Sequence, residues 1–132
     1  MPPRLFTRDE AEAMLPQIAP HLWQAQRLKR EHDEAQQKLA ELQAKGRGNG
    51  HGLDAEISKV NVAIQKTAAE INGIVDRING MGIEIKDLDM GLVDFRSQMS
   101  GREVYLCWKL GEEHVSWWHE LTTGYASRQP LE

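Results

Sequence analysis

Leu53-Asp-Ala-Glu-Ile-Ser-Lys-Val-Asn-Val-Ala-Ile-Gln-Lys-Thr-Ala-Ala-Glu-Ile-Asn-Gly-Ile-Val-Asp-Arg-Ile-Asn-Gly80 is the stretch that decides the fold. Leu53, Ile57, Val60, Ile64, Thr67, Ile71, Ile74, Ile78 and Met81 follow one another in alternating steps of four and three. That is the heptad seam of a helix packed lengthwise on a partner, with Thr67 its only polar member. The opposite side is Glu, Lys, Gln, Asn and Asp. Val62, Ala63, Ala68, Ala69 and Val75 widen the apolar stripe enough to take a second partner.

The partner lies upstream. Lys45-Gly-Arg-Gly-Asn-Gly-His-Gly52 must end any helix before it, and we expect 46–52 to be the most mobile internal segment. It lacks the preceding strand and the Gly-Lys-Ser/Thr ending of a phosphate loop. From Leu22 to Ala44 there is no glycine or proline, and Leu22, Ala25, Leu28, His32, Ala35, Leu39 and Leu42 line one side. The spacing predicts a first helix over 7–45 and a second over 53–80, joined as an antiparallel hairpin. His32 reads as a half-exposed seam residue. Thr7 and Glu10 form a capping-box pair at the start. Leu15-Pro16 should interrupt the first helix and Pro20 should bend it.

Gly80-Met-Gly82 releases an extended chain. Ile83–Lys86 alternates with period two, 87–91 turns, Leu92–Phe95 is a short strand, and a polar link runs through Gly101. Arg102–Trp108 places Val104, Leu106 and Trp108 on one face and Glu103, Tyr105 and Cys107 on the other. His114–His119, if extended, puts Val115, Trp117 and His119 together. The whole is an α+β single domain over 1–132: a long, coiled-coil-like antiparallel helical hairpin with a small antiparallel β-meander, 83–119, packed at its base, and a C-terminal tail, 120–132.

Composition narrows the partners. The chain has 132 residues and a formal net charge of -4. Its acidic excess lies in 83–132, with nine Asp or Glu against five Lys or Arg. Nothing in that attracts a nucleic-acid backbone. There is no signal-like or membrane-length apolar run, and the lone cysteine excludes an internal disulfide framework. The expected location is the cytoplasm.

Chemistry-bearing residues concentrate at the C-terminal end. Asp87, Asp89 and Gly91 lack most ligand positions of a calcium loop. Asp94 sits inside an apolar strand, where it reads as a structural residue, pointed to solvent by alternation, capping a neighbouring turn or paired with an arginine, Arg128 being the partner expected for that pair. Cys107, Glu112 and His119 have the ligand types of a zinc site, without a metal-binding spacing. The alternative for Cys107 is a buried small hydrophobe. Tyr105, Trp108, Trp117, Trp118 and Tyr125 fit core, oligomer interface or a small-ligand groove.

These blocks carry a resemblance. Leu5-Phe-Thr-Arg-Asp-Glu-Ala-Glu-Ala-Met-Leu-Pro16 resembles the opening of the DUF2203 family, small bacterial and archaeal proteins of unknown function. So do Gly82-Ile-Glu-Ile-Lys-Asp-Leu-Asp-Met-Gly-Leu-Val-Asp-Phe95, Gly101-Arg-Glu-Val-Tyr-Leu-Cys-Trp-Lys-Leu-Gly-Glu112, Trp118-His119, Gly124 and Arg128-Gln-Pro-Leu131. The resemblance spans essentially the whole chain and implies no activity. It directs attention to Lys86, Asp87, Asp94, Cys107, Glu112, His119 and Arg128.

The sequence therefore leads first to a non-enzymatic, self-associating scaffold or interaction protein, a homo-oligomer with a dimer favoured, and no cofactor or metal. The alternatives are a small metal-dependent or carboxylate/His-based enzyme, or a small-molecule or peptide binding module. Candidate catalytic residues are Asp87, Asp94, Glu112, His119 and Arg128. The metal candidates are Cys107, Glu112 and His119.

Overall fold

A computed structural model describes residues 3–46 and 52–132. The expectation of a mobile loop falls on 47–51, outside the described residues. Two helices, α1 (Arg8–Gly46) and α2 (Asp54–Gly80), precede a five-stranded antiparallel sheet. Its strands are β1 (Ile83–Asp87), β2 (Leu92–Met99), β3 (Arg102–Lys109), β4 (Trp117–Glu120) and β5 (Gln129–Pro130), paired in chain order. The fold is α+β: a helical hairpin followed by a meander.

The start of α1 is the capping box that the sequence spells. The Thr7 N–H donates to Glu10 Oε1 at 2.8 Å, and the Glu10 N–H donates to Thr7 Oγ1 at 3.1 Å. The interruption expected at Leu15-Pro16 is absent, and α1 runs through both prolines. Leu15, Ile18 and Leu22 are buried on one side, while Pro16 and Pro20 lie exposed. Carbonyls deprived of an N–H by proline therefore lie toward water, and tertiary burial overrides the local penalty.

The chain forms two compact units. One is Gln24–Ile74, the arm. Ala25, Leu28, Leu42, Thr67 and Ile74 are buried there, whereas Ile57, Val60, Ile64 and Ile71 are half-buried. His32, half-buried as its place in the seam implied, meets Thr67 Oγ1 through Nδ1 at 3.0 Å. The Thr67 hydroxyl hydrogen is engaged by the Ala63 and Ile64 carbonyls, so His32 Nδ1–H is the donor. One polar pair thus fixes register across an otherwise apolar seam.

The other unit comprises the first 23 residues and Val75–Glu132. Phe6, Ile18, Leu22, Ile78, Ile83, Val93, Phe95, Val104, Leu106 and Val115 build its core. Phe6 meets Phe95 edge-on at 5.2 Å, and its N–H donates to the Arg96 carbonyl. Arg8 and Glu12 hold the approach to β4: Arg8 Nε donates to the Val115 carbonyl, and the Val115 N–H donates to Glu12 Oε1.

Three details depart from the sequence reading. Strand β2 continues to Met99 where a polar link was expected, because Ser100 (φ 54°) and Gly101 (φ 81°) make a two-residue hairpin turn. Strand β4 begins at Trp117 rather than His114. The tail is not a plain tail: a 3-10 turn, Tyr125–Ser127, leads into β5, where Trp117 faces Pro130 and Trp118 faces Gln129.

Candidate metal centre

Alternation gives the sheet two chemically different faces. Ile83, Val93, Phe95, Val104, Leu106 and Trp108 belong to the apolar face. On the other, the register aligns Glu84 with Asp94, Asp94 with Cys107 and Cys107 with Trp117. One pair along, Arg96 faces Tyr105 and Tyr105 faces His119. Asp94 and Cys107 are thus direct neighbours, while His119, on β4, is diagonal to Cys107 and reaches Asp94 across β3.

Asp94, Cys107 and His119 are 1%, 0% and 2% exposed. Their ligand-type atoms all lie within 4.8 Å of one another. His119 Nδ1 is 2.8 Å from the Glu120 carbonyl, and its Nε2 is 3.0 Å from Asp94 Oδ2. A carbonyl only accepts, so Nδ1 carries a proton and Nε2 of the neutral ring presents its lone pair toward Asp94. The bridge between Nε2 and Oδ2 then holds a single proton. Burial raises the Asp94 pKa, against the opposing pull of His119 and, to a smaller degree, of Cys107 and Lys86. Burial thus works against the ionised form of the Asp94 carboxyl. Asp94 Oδ1 is buried without a hydrogen-bond partner among the described residues. Burial, with Asp94 adding to it, pushes the Cys107 thiol from 9.0 up to about 12, Arg128 opposing the shift. The protein alone therefore holds a thiol, not a thiolate nucleophile.

Two networks border the trio. On one side Arg96 donates to Glu103 at 3.0 Å and to the Tyr105 hydroxyl at 3.2 Å, and that hydroxyl donates to Glu84 at 3.0 Å. The Tyr105 and His119 ring centroids are 5.4 Å apart. On the other side Arg128 Nη1 contacts both Glu112 carboxylate oxygens, at 3.1 and 3.0 Å. Its guanidinium lies 4.7 Å from the Trp117 ring and 4.3 Å from that of Tyr125.

The expected pairing of Asp94 with Arg128 is corrected: Asp94 meets His119, and Arg128 meets Glu112. Among the metal candidates, Cys107 and His119 converge, while Asp94 stands where Glu112 was expected. Glu112 instead accepts from the Lys109 N–H at 2.8 Å and closes the β3–β4 turn. Asp87 is a turn residue, accepting from the Met90 N–H at 3.0 Å. Trp117 and Trp118 are half-buried. The missed signal was Ser100-Gly101: a tight turn there puts Met99 opposite Arg102, and counting back puts Asp94 opposite Cys107.

No curated protein and no solved structure matches this chain. A family model described as "Uncharacterized conserved protein (DUF2203)" matches residues 4–131, and by that match the chain belongs to the DUF2203 family.

Proposed function

We propose that this protein binds a divalent transition ion of the zinc class on Asp94, Cys107 and His119. The observation that carries the reading is the buried convergence of a thiol, an imidazole nitrogen and a carboxylate, within 4.8 Å of one another, with the imidazole tautomer already set by the Glu120 carbonyl. Metal-bound histidines characteristically donate their second N–H to a carbonyl or carboxylate in this way. Asp94 Oδ1, buried and unpartnered among the described residues, adds a lone pair for a cation. An ion replaces two protons, the one in the Asp94–His119 bridge and the one on the Cys107 thiol. Two anionic ligands and one neutral ligand then balance a charge of +2, and a buried site with no net charge is the least costly outcome. Three protein ligands leave a tetrahedral ion one position for water, the ligand count of zinc sites that activate water.

The test uses chelator-treated protein with zinc(II) and cobalt(II). Expected are about one ion per chain and a melting temperature higher by on the order of 10 °C at a hundredfold excess over Kd. Cys107→Ser, Asp94→Asn and His119→Gln each abolish both effects. Absence of binding, or undiminished binding in all three variants, overturns the proposal.

A second reading concerns the arm, where self-association is supported by the half-buried Ile57, Val60, Ile64 and Ile71. A second copy laid on this stripe would bury it. Sedimentation at micromolar concentration tests this reading: a dimer supports it, and a strictly monomeric wild type removes it.

A further inference from the structure

The C-terminal segment brings a half-buried arginine, Arg128, to the face of the sheet that carries Asp94, Cys107 and His119. Arg128 follows the 3-10 turn, Tyr125–Ser127, and precedes β5. Trp117 is the register partner of Cys107 on one side and of Pro130 on the other. The guanidinium, held 4.7 Å from the Trp117 ring and 4.3 Å from the Tyr125 ring, therefore stands on the face of the sheet that carries Cys107. Its side chain is 12% exposed. Both contacts to Glu112 come from Nη1, which leaves the donors on Nε and Nη2. Glu112 is itself fixed: its Oε1 accepts from the Lys109 N–H, and its carbonyl accepts from Trp108 Nε1 at 3.0 Å. The β3–β4 turn thus anchors a carboxylate that aims the arginine. Two aromatic faces fix its plane.

We propose that Arg128, aimed by Glu112, is a positioning residue for the metal site, donating an N–H to the Cys107 thiolate once an ion is bound. The inference rests on the metal-binding reading above. With the metal in place, the same N–H stabilises the sulfur lone pair. This eases displacement of the thiol proton and raises the energy of thiolate-to-metal charge transfer. Second-shell donors of this kind change metal affinity about 10–100-fold.

The experiment uses the full chain and cobalt(II), whose thiolate charge-transfer absorption reports on the sulfur itself. Wild type, Arg128→Met, Arg128→Lys and Glu112→Gln are titrated against a competing chelator, with folding checked by circular dichroism. Expected for Arg128→Met is a charge-transfer band moved to lower energy and affinity reduced about tenfold or more. Arg128→Lys restores part of both effects. Glu112→Gln moves the band the same way by less, and it serves as the test if Arg128→Met does not fold. A merely structural role for Arg128 weakens folding without moving the band, and an unmoved band in the folded variants overturns the inference while the metal site stands. No thiolate band in wild type removes the metal-binding reading itself, and the inference with it.

Discussion

Cys107 gives the most decisive perturbation, because burial has a measurable consequence for its chemistry. The thiol is 0% exposed and shifted from 9.0 to about 12. Three pH units lower the thiolate fraction at neutral pH by about a thousandfold relative to an ordinary thiol, before access is considered. Chelator-treated native protein should thus be alkylated by iodoacetamide at least ~1,000-fold more slowly than the urea-unfolded chain. The same shift makes stability fall with pH. The folded chain keeps a proton that the unfolded chain releases between pH 9 and about 12, so the contribution is present below the unfolded value and lost as pH rises through the folded one. The slope is about 1.4 kcal/mol per pH unit, on the order of 4 kcal/mol across the window. Urea unfolding of wild type against Cys107→Ala isolates it from other alkaline titrations. Native alkylation within tenfold of the unfolded rate would refute the reasoning, since it would place an accessible thiolate on β3 and restore a cysteine nucleophile.

Asp94→Asn should abolish metal binding yet leave metal-free stability at neutral pH unchanged or higher, because the amide can donate to His119 Nε2 without burying an acid. Wild type, whose Asp94 pKa is raised by burial, should lose stability as pH climbs from 3.8 toward that raised value, and the variant should not; chemical denaturation across pH 3–7 decides. Ile78→Ala, at a position 0% exposed, should cost about 2–5 kcal/mol, while Ile64→Ala on the half-buried part of the seam should cost about 1–2; equal losses would disprove the burial gradient along α2. Gly82→Ala should destabilise by about 1–2 kcal/mol or more, since φ is 86° and its Cβ would stand 2.9 Å from Arg4 Cβ; a neutral result would show that the Arg4 segment is not seated there.

The helices were legible because their signals are periodic and local. The 4-3 spacing from Leu53 to Ile78 locates α2, and Thr7 with Glu10 locates the start of α1. Continuation of α1 through Pro16 and Pro20 was not legible, because the compensation comes from Leu15, Ile18 and Leu22 burying their faces in a core that the local sequence does not contain. The site was half legible. Cys107 and His119 announced themselves by residue type, but Asp94 joins them only through register. A strand residue's neighbours are set by a turn several positions away, and a one-residue slip would move Asp94 to the apolar face. Reading Arg96–Gly101 as a link rather than strand plus turn removed the one constraint that fixes this register.

What remains is why a small sheet should bury an acid, a thiol and an imidazole together. For folding alone the arrangement is poor. Asp94 leaves one oxygen unpaired among the described residues, its ionised form is disfavoured, and apolar side chains of similar volume would stabilise such a core at least as well. The surroundings are not those of an accidental defect. Tyr105, Arg96 and Glu84 brace one flank, and Glu112 holds Arg128 on the other, each through side-chain hydrogen bonds of 3.0–3.2 Å. Braced flanks around an underpartnered carboxylate are what the proposed ligand set requires, although Arg96 Nε on one flank is also buried without a partner among the described residues. A divalent ion bound as proposed would remove both deficits at once, partnering the free oxygen and displacing the protons of the two acids. On the proposed reading, stability and ligand binding are opposed in the protein alone and aligned by the metal, and Asp94→Asn is the substitution that separates them.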